Sequence, residues 1–364
     1  MGINDLFLVV FCFFKSGGSG KIKLGEIMKE LKETIQAMFP CQVGFVKVRM
    51  FTELRENLKK YYEINGEIEL VEHDIEKRIN PYLIFAKVKT IIVVIFPYAQ
   101  SHPELDKAIH VVSKSSYGID YHVVLKDKLG IIANYLKEHY HAESIVLTDN
   151  HPLHEKHLAY LAGLGNFGKN TLLINPIYGT YFFIGLILTD LELNEYDEPR
   201  FSDICQSCNR CIRSCPTGAL SESRFIEAYK CMSYLTQSKK ILPDEYLPKF
   251  RKYIYGCDIC QITCIYNTND NLPILEEFKP QGKEIIKVKD LEGLTNKTFK
   301  EKYGDLAASF RGKHVLLRNA LLVSANQKNT KDLENLDKLT NTNIEYLNQA
   351  IDYAKKKLGE GEEK

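Results

Sequence analysis

Eight of the chain's ten cysteines fall between Cys205 and Cys264, and no other feature restricts the possible folds so severely. Cys205, Cys208, Cys211 and Cys215 form CxxCxxCxxxCP closed by Pro216. In such a run three thiolates hold one iron-sulfur cluster and the fourth reaches another. Cys231 stands alone, and Cys257, Cys260 and Cys264 form CxxCxxxC. Eight thiolates are what two 4Fe-4S clusters require. Three closely spaced Cys cap three irons of one cube, while the next emerges on the far side of a helical turn and serves the neighbour. This places Cys205, Cys208, Cys211 and Cys264 on one cluster and Cys215, Cys231, Cys257 and Cys260 on the other. Zinc is the rival chemistry, because two CxxC pairs hold a tetrahedral ion. It accounts for four of these ligands and leaves the CxxCxxCxxxCP run unexplained. Cys12 and Cys41 read as ordinary core or surface thiols.

The remainder of the chain sets the context. Its 364 residues suggest about two folding units. With 45% hydrophobic and 26% charged residues, it is a globular protein rather than a disordered, collagenous or membrane-spanning one. Lys and Arg number 48 against 47 Asp and Glu, so any site for a polyanion must be a local patch. The apolar run Leu6 to Phe14 is far shorter than the roughly 20 residues of a spanning helix. Asp5 and the Ser16 to Gly20 stretch also make it a poor signal peptide. Residues 1–20 therefore read as a loose N-terminal extension, no membrane partner is expected, and the expected location is cytoplasmic. A reducing cytoplasm disfavours disulfides and turns clustered Cys into metal ligands.

Periodicity predicts helices over Leu24 to Met38, Thr52 to Tyr62, Val123 to Tyr140 and near His154 to Ala162. Thr90 to Pro97 is a β-branched run ended by Pro, which reads as a buried strand, and Ser144 to Thr148 reads as another. Thr171 to Ile174 and Tyr181 to Thr189 flank the turn-rich Asn175 to Gly179, which suggests a hairpin. Strands are expected to stop near residue 195. Helical patterns return in Val315 to Asn326 and Ile344 to Leu358. The expected fold class is α+β: a mixed α/β domain over 21–195, a ferredoxin-like double-cluster domain over 196–270, and a helical part over 271–364.

A carrier of electrons needs only the cluster segment, yet nearly 200 residues precede it. There, Asp149-Asn-His-Pro-Leu153 puts an acid at a strand end, and Gly163-Leu-Gly165 through Gly168-Lys-Asn-Thr171 forms a Gly-rich loop after a helix. Neither is a phosphate-binding fingerprint by itself. Taken with Gly118-Ile-Asp-Tyr-His122, Leu188-Thr-Asp-Leu191, Ser214-Cys-Pro-Thr-Gly-Ala219, Ser233-Tyr-Leu-Thr236, Tyr255-Gly-Cys-Asp258 and Arg318-Asn-Ala320, however, the series resembles the epoxyqueuosine reductases. These are cobalamin and iron-sulfur enzymes of queuosine synthesis in tRNA, and the resemblance covers about residues 24 to 326.

The resemblance implies a first domain that holds cobalamin, a HEAT-like helical C-terminal part, and tRNA presenting its modified wobble base. It makes Asp149 the proton donor. Asp120 and His122 are expected to shape the cofactor pocket, with Asn170, Thr171 and Ser233 as further contacts. An Asp with an ordinary pKa near 3.9 serves as an acid at neutrality only if its surroundings raise that value. Asn166-Phe167 and Ile265-Tyr266 depart from the family's usual Trp-Ile and Pro-Trp, and Asn150 stands where Thr is usual.

His151, His154 and His157 read as a solvated helix face. Residues 200–264 carry ten Lys and Arg against six Asp and Glu, a local excess that suits phosphate, with Tyr229, Tyr234, Tyr253 and Tyr255 nearby for stacking. The expected partners are tRNA and an unidentified electron donor, and the expected state is a monomer. A reductive dehalogenase and a ferredoxin-like carrier subunit remain as alternatives. The former usually carries a twin-Arg signal, and the first 30 residues contain no Arg.

Overall fold

The computed structural model describes residues 27–200, 202–268, 271–334, 336–339 and 343–362. The extension expected over residues 1–20, with Cys12, lies outside them.

Thr90 to Pro97 has no polar residue between its first and last positions, and a strand of that kind must be covered on both faces. It forms β2 (Thr90–Pro97), which follows β1 (Gln42–Lys47). The short β3 (Val111–Val112), β4 (Ser144–Leu147), β5 (Asn166–Phe167), β6 (Leu173–Ile174), β7 (Phe182–Thr189) and β8 (Tyr253–Tyr255) complete the strands. The main sheet is antiparallel with order β1-β2-β7-β4. Side chains alternate across it. Ile92, Val94 and Phe96 share a core with Leu129 and Ile132 of helix Tyr121–Tyr140 and Ile35 of helix Ile27–Met38. Ile91, Val93 and Ile95 face the other way, onto Leu158 and Ala159 of helix Glu155–Leu161 and Leu58 of helix Arg55–Asn65. Gly185 in β7 permits this packing, because a Cβ there would lie 2.5 Å from Leu129 Cδ1.

The hairpin expected from Thr171 to Thr189 does not form. Phe182–Thr189 is buried along most of its length and takes the centre of the sheet between β2 and β4. Leu173–Ile174 pairs instead with Asn166–Phe167, and the turn that follows it, before Phe182–Thr189, is closed on itself by Asn175 and Gly179. Strands also do not stop at residue 195. β8 runs parallel to β3, joining the cluster segment to the first part of the chain.

A third core lies beneath that junction. Val111, Val112 and Tyr117 pack there with Leu235, Phe250, Ile254, and Leu316, Leu317 and Leu321 of helix Lys313–Asn326. Arg318 of the same helix is wholly buried without a carboxylate among its hydrogen-bond partners. Its guanidinium donates to the carbonyls of Leu235 and Ser238 at 2.8 and 2.7 Å. Asn319 donates to the carbonyls of Thr236 and Ile254, both at 2.7 Å. These two neighbours thus tie the helix after Cys231 to the strand before Cys257. Burial pushes the Arg318 pKa down to about 9, so most of its charge persists at neutrality.

Asn319→Leu is expected to leave two buried carbonyls without donors. Each such loss costs about 1–3 kcal/mol, so thermal unfolding should begin several degrees lower. An unchanged melting curve would show that the tie does not stabilise the fold.

Candidate functional site

The chain leaves β4 at Leu147 and turns at Asp149, whose φ of 50° lies in the left-handed region that Asp tolerates better than most residues. The backbone N–H of Asp149 donates to Glu155 Oε1 at 2.9 Å, which secures this bend to the start of the following helix. The carboxylate meets the first turn of helix Tyr121–Tyr140. Tyr121 Oη donates to Asp149 Oδ2 at 2.7 Å, and His122 Nε2 lies 3.1 Å from the same oxygen. On its other side His122 Nδ1 is 2.7 Å from Asp120 Oδ1, and Asp120 also caps the helix by accepting from the His122 backbone N–H at 3.0 Å. The phenol ring of Tyr121 is stacked between His122, at 4.0 Å, and Phe183, at 4.3 Å.

The electrostatics of this group reverse the expectation for Asp149. Its pKa is lowered, first by the hydrogen bond from His122, with burial opposing and Tyr121 assisting. Burial works against charge on His122 too, but the bonds to Asp120 and Asp149 overcome it and lift its pKa to about 9. Burial, reinforced by Asp149, raises the pKa of Tyr121, which stays a donor. At neutral pH the mobile proton therefore sits on His122, held between two carboxylates.

Asp149 lies on the wall of a cavity of about 670 Å3. His151, His154, His157, Gly168 and Thr171 line it, facing Tyr61, Arg78 and Phe225. The three histidines are not a solvated face. The side chains of His151 and His157 are only 4% and 12% exposed, and burial drives the His154 pKa down to about 3, leaving that ring neutral. Leu153 and Leu158 turn this part of the chain inward and carry the imidazoles with them. Lys156 lines the same wall, donating to the Thr171 carbonyl at 3.1 Å, and its pKa is lowered by burial and by the nearby Arg78. Arg78 Nε, His151 Nδ1 and Asn170 Nδ2 are buried without a partner. Sequence reasoning missed Arg78 and Lys156 because neither belongs to a recognisable motif. Tyr121 was within reach, since it lies inside the Gly118 to His122 series.

The thiols form two neighbourhoods. Cys205, Cys208, Cys211 and Cys264 line one hollow with Lys169 and Asn170, and the Lys169 N–H donates to Cys205 Sγ at 3.4 Å. Charge on Cys231 and Cys215 raises the Cys257 pKa, charge on Cys257, Cys231 and Cys211 raises that of Cys260, and Cys215 acts on Cys231. Burial is the main cause, pushing Cys257 up to about 12. Asn170 faces the first hollow and Thr171 the large cavity. Ser233 is not on the cavity wall; its backbone N–H serves Cys231. The basic residues of 200–264 do not act together. Arg224 is paired with Asp203 and Lys230 with Glu227, whereas Lys239, Lys240, Lys249 and Arg251 are exposed.

Clustered cysteines with a proton-bearing site beside a large cavity are what an iron-sulfur oxidoreductase requires. Residues 204–267 match the 4Fe-4S double cluster binding domain, and residues 78–150 match the domain described as Epoxyqueuosine reductase QueG, DUF1730. An epoxyqueuosine reductase of Bacillus subtilis (strain 168) is 33% identical over 322 residues, covering 86% of this chain and 83% of that protein. One from Lactococcus garvieae (strain Lg2) is 34% identical over 349 residues, covering 91% and 97%. The chain belongs to the epoxyqueuosine reductase family. Among solved structures, an epoxyqueuosine reductase with a modified tRNA-Tyr stem loop superposes with a TM-score of 0.87 at 30% identity, covering 93% of this chain and 91% of that one. The Streptococcus thermophilus enzyme gives 0.81 at 31% identity, covering 90% and 89%. Such matches along nearly the whole chain favour the reductase over the dehalogenase and carrier alternatives.

The His122 pKa is raised on folding, so its contribution to stability is fully present below about 6.5, the unfolded value, and is lost as pH climbs through about 9. An NMR titration should place its midpoint near 9, and Asp149→Asn should lower that midpoint. A wild-type midpoint near 6.5 would contradict the two-carboxylate arrangement.

Proposed function

We propose that the chain reduces epoxyqueuosine to queuosine at the wobble position of tRNA, using cobalamin and two 4Fe-4S clusters. The observation that carries this reading is the junction of Asp149, Tyr121 and His122 at the wall of a cavity, in a chain whose 205–264 segment carries eight cysteines. Removal of the epoxide oxygen takes two electrons and two protons and leaves an alkene and water.

Cys205, Cys208, Cys211 and Cys264 would hold one cluster, and Cys215, Cys231, Cys257 and Cys260 the other. The thiols fit: burial makes Cys211, Cys231, Cys257, Cys260 and Cys264 hard to ionise alone, whereas bound iron removes a coordinating thiol's proton outright. The cavity also fits a corrinoid. Its unpartnered donors on Arg78 and His151 suit a ligand rich in amide and phosphate oxygens. Arg78 and Lys156 supply the positive wall that a phosphodiester requires, and Thr171 and Asp149 lie beside it. When bound, cobalamin supplies a strongly nucleophilic reduced cobalt centre.

The protein's own part is the proton. Asp149 faces the cavity and touches both Tyr121 and His122. A proton passed from His122 Nε2 to Asp149 makes the carboxyl an acid at the moment an oxyanion develops, and Asp120 steadies the imidazole. The raised pKa lies on the reservoir rather than on the donor, which is how Asp149 can serve as an acid despite a lowered pKa of its own. Lys239 and Lys240 follow the Ser238 carbonyl held by Arg318, and we assign them, with Lys249 and Arg251, to tRNA phosphates. The cytoplasm as location and the monomeric state belong to the same reading. No helix among the described residues is long and apolar enough to cross a membrane. For domain organisation we keep 21–195, 196–270 and 271–364 as units of function.

Anaerobically reconstituted protein should contain about eight irons. Cys231→Ser should retain about four, because the cluster that includes Cys264 keeps its ligands. Loss of all iron from a folded variant would contradict the partition.

Asp149→Asn keeps the shape and loses the acid. It should retain clusters, cobalamin and tRNA binding while converting epoxyqueuosine about 10² to 10⁴-fold more slowly, read by mass spectrometry of tRNA nucleosides. Near-normal turnover would reduce Asp149 to a structural bend.

Charge reversal at Lys239 and Lys240 should weaken stem-loop binding and flatten its dependence on salt by about one unit of slope for each phosphate no longer neutralised. Binding that is unchanged at every salt concentration would move the footprint elsewhere.

A further inference from the structure

Electrons must reach the clusters from outside, and one face of the protein is built to receive them. Helix Arg210–Ser214 packs on helix Ile259–Ile262, and Ser214 Oγ lies 3.1 Å from Thr263 Oγ1 where the two meet. Their outer surfaces frame an open groove of about 540 Å3 lined by Arg210, Arg213, Ile262, Cys264, Ile265 and Thr268, among others. Arg210, Cys264 and Ile265 also line the hollow that holds Cys205, Cys208 and Cys211, so the groove and the thiols share walls. The groove has no lining residue in common with the cavity that contains Asp149.

Two features of this face are unusual. Ile262 and Ile265 are 51% and 46% exposed, an aliphatic pair left in water between and after cluster ligands. Beside them Arg210 and Arg213 are exposed, and among the described residues neither guanidinium is paired with a carboxylate, in contrast to Arg224 with Asp203. Free positive charge around a small apolar centre is the pattern of a transient interface: charge steers the encounter, and a modest apolar contact seats it. Complexes that pass electrons are of this small, weak kind.

We propose that this face docks an acidic one-electron carrier protein, which reduces the cluster held by Cys205, Cys208, Cys211 and Cys264. The proposal rests on the cluster assignment given above. Each docked carrier is oxidised by one electron as that cluster is reduced by one. Two successive encounters, with two protons from water, supply what conversion of the epoxide to alkene and water requires. Because the face shares no lining residue with the substrate cavity, a carrier docks without entering it. RNA is the other polyanion that two arginines attract, but single-stranded RNA is held by stacking on aromatic rings. This face presents aliphatic side chains instead, and Tyr266 beside it is half-buried with its hydroxyl bonded to the Ile204 carbonyl.

The test compares two reductants on the reconstituted holoenzyme under anaerobic conditions: a bacterial flavodoxin held reduced by light and a deazaflavin, and dithionite, which needs no docking face. Stopped-flow bleaching of the iron-sulfur absorbance reads the rate. Arg210→Glu with Arg213→Glu should slow reduction by flavodoxin about tenfold or more at low ionic strength and remove its dependence on salt. The rate with dithionite, the iron content and the affinity for a tRNA stem loop should not change. Arg213→Glu alone, which does not touch the thiol hollow, should act in the same direction and guards against a variant that merely loses iron. An unchanged flavodoxin rate in both variants overturns the proposal. Weakened stem-loop binding with an unchanged flavodoxin rate assigns the face to RNA. A wild-type protein that holds iron short of two clusters, or that dithionite does not bleach, overturns the cluster reading beneath it.

Discussion

Burial of the thiols is the constraint on which the arrangement depends. A cysteine in an apolar setting resists ionisation, and Cys257 is pushed to about 12 for that reason. Iron reverses the balance, since a coordinated thiol gives up its proton and the cluster takes the place of solvent. Residues 205–264 contain little regular structure that would hold together unaided. Their α-helices run four or five residues, below the length at which a helix sustains itself. The rest of the fold therefore acts as a frame that brings Cys231 and Cys257 to the right places before metal arrives. Arg318 and Asn319 do this from the far side, using backbone carbonyls on both segments.

That frame was only partly legible in the sequence. β2 was plain, because eight residues that must be buried on both faces have few alternatives. The helix Tyr121–Tyr140 was equally plain from its period. The position of Phe182–Thr189 was not: its composition marks a strand, but nothing local says that the strand belongs between β2 and β4 rather than beside β6. Pairing over long separations is settled by which faces are left uncovered once the helices pack. β8 escaped notice for a related reason. Three residues, Tyr253 to Tyr255, are too few for a periodic signal, and their pairing with Val111 and Val112 spans more than 140 positions.

The site shows the same division. Motif residues named the participants, including Asp120, His122 and Asp149, because their chemistry is visible in their types and order. The direction of the Asp149 pKa was not visible. An acid at this position was expected to need surroundings that raise its pKa, whereas the structure surrounds it with Tyr121 and His122, both donors. Side-chain geometry of this kind depends on a helix cap meeting a strand end, 29 positions apart in sequence between Asp120 and Asp149. The buried histidines make the converse point. Spacing alone gave His151, His154 and His157 no ligand to serve, and it could not show that Leu153 and Leu158 draw the segment inward.

Separating the charge carriers follows from these positions. Protons are stored on His122, beside the cavity and next to Asp149; electrons are stored on thiol-bound iron, in a segment whose exposed edge carries Ile262 and Ile265. A positive charge between two carboxylates is stable while its surroundings remain polar. It becomes a donor only when something basic develops within reach of Asp149, so the proton is not released in the absence of substrate. Reduced clusters need a different arrangement, a path for electrons from the outer face inward to the cavity. Tyr61 lines the cavity and also feels the charge of Cys231, which puts one cluster ligand close behind the cavity wall. A chain that keeps electrons behind that wall and protons in front of it confines their meeting to the cavity, where an epoxide oxygen accepts both.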